Sequence, residues 1–416
     1  MRTLTALALA GGLCLSGVSA AMADEANPAT GTAESPAQAK ITKVLEMPDG
    51  TETPVEEFVF EFTRVSVDDV TGTSTNMPTI PNATVSYNGS ETAAAVSGVI
   101  SIPKQTTDNI LKDVSWPHAG VYVYTISEAT GTNDDMAYSA AVYELWVWVS
   151  NCDSGTGCDN GLYVSGISTY AIEDDEGDEV EPKVKVDPTP GDGSTTFSNL
   201  AFKNVYVETN DGDPTDPEDH MLNVSKEVTG EYADQTYHFP FTVTVTKPST
   251  GVAGTPVYKG YVVEEDGDDL VIVTSEANCT STYLDGPSSA KYCKVTSGTA
   301  ITINLKHGQQ LVFVDLHVGA TYTAVEAYDD RYDASVDVTA NGVGPTTLTP
   351  ADAGDPMSTG PQVIGANENS AAFTNDRVGT TPTGLRLNDL PFVGLIVLGL
   401  AAIVVMVVVR RGKSRA

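Results

Sequence analysis

The chain has 416 residues and a formal net charge of −34, from 56 acidic and 22 basic side chains. So acidic a chain does not bind nucleic acid or anionic lipid through non-specific electrostatics. The five histidines (His118, His220, His238, His307, His317) are scattered without metal-ligand spacing, and there is no Gly-x-Ser-x-Gly elbow or phosphate loop, so no metal or other cofactor is expected.

Arg2, an apolar run from Leu4 to Val18, and the small residues Ala21 and Ala23 have the three-part form of an export signal. The run is too short to span a bilayer as a helix, and Leu13 before Cys14 argues against lipidation, so residues 1–23 are expected to be removed. Residues 24–38 are rich in Ala, Pro, Thr and Glu and read as disordered.

From residue 39 onward the pattern is short alternating runs of Val, Tyr, Thr, Phe and Ile broken by Asp/Gly turns, with no long 3.6-residue period. The class is therefore all-β. Two hairpins can be named: 261–265 returning at 270–274, and 169–172 returning near Val180. About 340 residues of such strands exceed one ordinary sandwich, so two domains are expected, 39–208 and 222–378. Between them, 209–221 contains the Asp/Pro-rich stretch from Asn210 to Pro217. It lacks the twelve-residue loop of an EF-hand and reads as a solvated linker.

Trp146 and Trp148 alternate with aliphatic residues in 143–149; they could line a glycan site, but a packed strand is the expectation. With Cys14 removed, four cysteines remain in two close pairs, Cys152 with Cys158 and Cys279 with Cys293. In an exported chain these predict two local disulfides.

The C-terminal end has three parts. Thr381-Pro382-Thr383-Gly384 precedes 18 uncharged residues, 392–409, and then Arg410, Arg411, Lys413 and Arg415. As a helix the uncharged run is about 27 Å long, enough to cross a hydrocarbon core with the basic tail left in the cytoplasm. This order, over 379–416, resembles the sorting signal of Gram-positive surface proteins, which a sortase cleaves between Thr and Gly before transferring the Thr carboxyl to an amine. Thr381 departs from the Leu or Val usual before that proline. Six basic residues and one acidic residue lie in the two processed ends, so the mature chain carries about −39.

The two halves repeat a pattern. The first opens with Ile41-Thr42-Lys43-Val44-Leu45, later has Tyr124-Thr125-Ile126-Ser127-Glu128-Ala129, and closes with Phe202-Lys203-Asn204. The second has Val224-Ser225-Lys226-Glu227-Val228, Tyr322-Thr323-Ala324-Val325-Glu326-Ala327 and Phe373-Thr374-Asn375. Strand alternation puts Lys43, Glu128, Asn204, Lys226, Glu326 and Asn375 in phase with core residues. A lone buried charge is costly, so these groups must be neutralised or paired. Burial lowers a Lys pKa and raises a Glu pKa. A protonated Glu can donate to the Asn carbonyl oxygen and polarise it, so that a neutral Lys amine attacks the Asn side chain, expelling ammonia and leaving a Lys–Asn amide. The competing reading is a buried Lys–Glu ion pair with a hydrogen-bonded Asn.

This repeat resembles the isopeptide-linkage domains of streptococcal T-antigen-type major pilins. The resemblance implies two tandem immunoglobulin-like sandwiches with one Lys–Asn bond in each: Lys43 to Asn204 assisted by Glu128, and Lys226 to Asn375 assisted by Glu326. The expected function is then a pilus subunit, not an enzyme beyond its own single-turnover cross-linking. Its partners would be a pilus sortase, a housekeeping sortase, identical subunits, minor pilins and peptidoglycan, on an exported chain that ends in the cell wall. A monomeric wall-anchored adhesin is the alternative. However, Thr383 lies only eight residues beyond Asn375, at most about 29 Å, a short stalk for crossing a thick wall. Lys183 and Lys185, beside Pro182 on an expected edge strand, are candidate acceptors for the Thr383 acyl group.

Overall fold

The computed structural model describes residues 29–377, apart from 154–157, 194, 210–211, 220, 281 and 286–289, together with Ala21–Met22. The rest of the expected export signal, the sorting motif Thr381 to Gly384 and the segment 392–409 lie outside the described residues. Among the described residues the fold is all-β. One turn of 3-10 helix, Pro217–Asp219, interrupts the strands, and no helix is long and apolar enough to cross a membrane.

The strands sort into two groups. The first contains β1 (Thr42–Pro48), β2 (Val55–Val67), β3 (Ala83–Asn88), β4 (Val99–Gln105), β5 (Gly120–Glu128), β6 (Val142–Asn151), β7 (Leu162–Glu173), β8 (Glu179–Val186) and β9 (Ala201–Tyr206). One sheet runs β8-β7-β6-β5-β2, with β3 also on β2; the facing sheet runs β4-β1-β9 and ends on the short strand Met136–Ala137. The second group contains β10 (Leu222–Thr229), β11 (Phe239–Thr246), β12 (Val257–Asp266), β13 (Ala290–Thr296), β14 (Ile301–Leu305), β15 (Gln309–Phe313), β16 (Thr321–Glu326), β17 (Asp333–Ala340) and β18 (Ser370–Asp376). Here the larger sheet contains β13-β12-β15-β10-β18-β17 and the smaller one β14-β11-β16. Both named hairpins are present, with Asp266 opposite Asp269 and Glu173 opposite Glu179.

Strand β6 shows why these residues form sandwiches. Tyr143, Leu145, Val147 and Val149 are buried, while Glu144, Trp146 and Trp148 lie on the other face, half-exposed. Alternation of this kind suits a sheet with one apolar face turned to a partner sheet. β6 is a central strand, paired on both sides by β5 and β7. Its two tryptophans stack on the outer face, ring centroids 6.1 Å apart. Each group of strands encloses its own apolar core, one built around Phe58, Phe60, Tyr124 and Phe202, the other around Phe239, Phe241, Tyr322 and Phe373.

Residues 29–38 are ordered against the sheet, contrary to the composition. Ala29–Thr30 pairs with Gly166–Ile167, Ala37 N–H donates to Val164 O at 2.9 Å, and Ala29 and Ala37 are buried. The reason lies in β7. Strand β8 pairs only with its far end, so the backbone near Val164 would otherwise be an open edge.

The two groups of strands meet through two main-chain hydrogen bonds, Val318 N–H to Glu208 O at 3.0 Å and Ala366 N–H to Gly50 O at 3.3 Å, and through the Ser249 hydroxyl, which donates to Gly98 O at 2.9 Å. Gly319 sits at φ 82°, where a Cβ would lie 2.1 Å from Pro48. Close approach at this junction therefore requires glycine.

Candidate buried cross-linking centres

In each half the first and last strands are neighbours and run parallel. β1 pairs with β9 so that Lys43 is opposite Phe202 and Asn204 is two residues further along, opposite Leu45. β10 pairs with β18 in the same register, Lys226 opposite Phe373 and Asn375 opposite Val228. Side chains two residues apart on one face of a parallel pair are diagonal neighbours, within reach of a long Lys. Both glutamates come from the facing sheet, again in matched register: Glu128 opposite Phe60, Glu326 opposite Phe241.

All six side chains are buried; Lys43 and Asn204 have no exposed surface and Lys226 and Asn375 retain 2%. Lys43 Nζ donates to Glu128 Oε2, and Lys226 Nζ donates to Glu326 Oε2 at 3.0 Å. The second carboxylate oxygen faces the asparagine: Asn204 Nδ2 donates to Glu128 Oε1 at 2.6 Å, and Asn375 Nδ2 donates to Glu326 Oε1. Each carboxyl group thus bridges the lysine nitrogen and the asparagine amide nitrogen. The sequence expectation had it on the carbonyl oxygen. In the first half the physical reason is explicit, because Ser139 N–H donates to Asn204 Oδ1 at 2.7 Å. Only an oxygen can accept that bond, so the amide nitrogen must face the carboxyl.

Burial pushes both lysine ammonium groups down to about 8, opposed by the attraction of the neighbouring carboxylate. The same burial pushes Glu128 and Glu326 up, opposed by their lysines and by the hydrogen bonds they accept. Both shifts act in the direction of a neutral amine beside a neutral acid. An aromatic ring walls each amine: Lys43 Nζ lies 4.4 Å from the centroid of Phe58, Lys226 Nζ 4.6 Å from that of Phe239. Phe60 packs on Phe202 at 4.9 Å and Phe241 on Phe373 at 5.0 Å. The motif Phe58-x-Phe60 and its counterpart Phe239-x-Phe241 are a further repeat that the strand-by-strand reading passed over, although identical letters in identical phase carry it. Ser139 leaves no such signal, since its backbone makes the contact.

Of the other expected residues, Lys183 and Lys185 lie on β8, the outer strand of its sheet. Lys183 is exposed and reaches across β7 to Glu144, 2.9 Å away; Lys185 is half-exposed. The disulfides Cys152–Cys158 and Cys279–Cys293 are both present, the second buried in its core. No group of three or more metal-ligating side chains occurs among the described residues.

A family model described as a domain of unknown function (DUF7601) matches residues 220–377. No curated protein matches the chain. Among solved structures, the major pilin from Streptococcus pyogenes aligns at 19% identity over 82% of this chain and 99% of that one, with a TM-score of 0.33. The T-13 major pilin of the same organism aligns at 16% identity over 82% and 97%, TM-score 0.30. A pilus-presented adhesin, Cpa, aligns at 16% identity over 51% and 36%, TM-score 0.21. Superpositions this loose carry no functional weight.

Proposed function

We propose that this chain is a structural subunit of a sortase-assembled cell-surface pilus, cross-linked inside each of two tandem sandwich domains by a Lys–Asn amide. The observation that carries the reading is the repetition of one buried Lys–Glu–Asn arrangement, in one strand register, in both halves. Two unlinked ion pairs in dry cores are a costly way to hold strands together. A covalent link removes the buried charges and closes 162 residues in the first half and 150 in the second. The chain-entropy model gives about 5 kcal/mol for each closure.

The geometry suggests how each carboxyl serves. The neutral pair holds one proton, on Glu128. The Lys43 amine attacks Asn204 Cγ, and the negative charge moves to Oδ1. The carboxyl gives its proton to Nδ2 and takes one from the attacking nitrogen. The C–N bond to Nδ2 breaks, ammonia leaves, and the Lys43 Nζ–Asn204 Cγ amide remains. Holding the groups together in a dry core supplies the rate for a step needed once. Lys226, Glu326 and Asn375 repeat the sequence.

Polymerisation would join Thr383 of one subunit to a lysine of the next. Lys43 and Lys226 are enclosed, whereas Lys183 on the outer strand is open to a sortase. The experiment is an immunoblot of wall extracts. A high-molecular-weight ladder that collapses in the K183A/K185A double variant supports the pilin and these acceptors. A persistent ladder rejects the acceptors, and a single band in the wild type supports the monomeric adhesin.

A further inference from the structure

The two centres differ at the asparagine carbonyl oxygen. Asn204 Oδ1 accepts the Ser139 N–H, whereas Asn375 Oδ1 is buried without a protein hydrogen-bond partner, in a residue that lines a cleft of about 400 Å³ between residues 326–334 and 350–357. The difference follows from strand pairing. Beside β18, strand β17 runs a complete ladder, with Ala334 opposite Asn375, so its backbone donors are engaged between strands. Beside β9 the neighbouring strand stops at Ala137. The chain turns away there, and Ser139 N–H is left to face a side chain.

Asp175, from the β7–β8 turn, stands where that strand would have continued. Its Oδ1 accepts both Lys203 N–H at 2.9 Å and the Ser139 hydroxyl at 2.6 Å, and its carbonyl accepts Ala140 N–H at 3.0 Å. A carboxylate thus replaces a missing strand and holds Ser139 over the centre.

We propose that the Ser139 backbone N–H is the oxyanion donor of the first centre and that Asp175 is the residue that positions it. The inference rests on the cross-linking reading above. As Lys43 adds to Asn204, Oδ1 gains the charge of the tetrahedral intermediate, and a fixed N–H already at 2.7 Å stabilises it without reorganisation. The charge returns to the carbonyl as Nδ2 leaves as ammonia, so the donor is needed only in passing.

The test uses the full chain from pulse-labelled cell-free synthesis, with ammonia loss at each centre followed by peptide mass over time. The second centre in the same molecule is the control for folding. Ser139→Pro removes the donor and should slow the first centre about 100-fold. Asp175→Ala lets the segment drift and should slow it about 10- to 100-fold, with the second centre unchanged. Asp175→Asn retains an oxygen that can accept both bonds and should restore the rate. Unchanged rates at the first centre in both S139P and D175A overturn the proposal and leave the cross-linking reading standing. D175N as slow as D175A would show that charge matters instead of position, and equal slowing of both centres would show a general folding defect; either refutes the role given to Asp175. Retention of both ammonias in the wild type overturns the proposal and the reading together.

Discussion

Replacing Glu128 by Gln preserves shape and hydrogen-bonding capacity but removes the group that can pass a proton between Lys43 and Asn204. The first amide should not form, and peptides spanning Lys43 and Asn204 should retain about 17 Da of ammonia. Opening a 162-residue closure costs about 5 kcal/mol in the chain-entropy model. At about 2–4 °C per kcal/mol for a unit of this size, the first transition should fall by roughly 10–20 °C. The second centre, whose core is separate, should keep its amide and its transition. Force makes the difference larger. Pulled by its ends, the wild-type first half cannot extend between Lys43 and Asn204, whereas the variant should release about 510–560 Å of chain, the Cys152–Cys158 loop staying closed. The measurement is single-molecule extension with intact mass on the same preparation. A variant that still loses both ammonias, or a wild type that releases this length, would falsify the reasoning.

The folded chain should be lighter than its sequence mass by two ammonias, about 34 Da, beyond its disulfides; a full-mass protein excludes both amides. Ammonia loss during folding should follow a bell in pH. On the acid side it falls below the raised carboxyl pKa, because the Lys–Glu pair then holds two protons; on the alkaline side it falls above about 8, where the pair holds none. A rate that climbs steadily to pH 10 would mean the carboxyl supplies no proton. Non-reducing peptide maps should recover Cys152 with Cys158 and Cys279 with Cys293, and free thiols or crossed pairs would contradict the pairing. Phe239→Ala should open the wall beside Lys226 to water and slow the second amide but not the first, read from the two peptide masses.

Local pattern was enough for the all-β class, the two hairpins and the placing of six polar side chains on core phases. Alternation along a strand decides which face a residue takes before any partner is chosen. The export and sorting signals expected at the two ends are read from equally local features, apolar length, small residues and charge order, and apart from Ala21–Met22 lie outside the described residues. Pairing between strands is not local. That Lys43 sits opposite Phe202, with Asn204 one diagonal step away, depends on β1 and β9 closing side by side across more than 150 residues. The same holds for residues 29–38: composition counts too few apolar groups for order, but the uncovered edge of β7 supplies their hydrogen bonds. Ser139 and Asp175 are the extreme case. Their contribution comes from a backbone N–H freed where a ladder ends and a carboxylate that fills the gap. A side-chain pattern cannot encode a donor that every residue except proline possesses; only the tertiary structure decides which one is left unpaired and where it points.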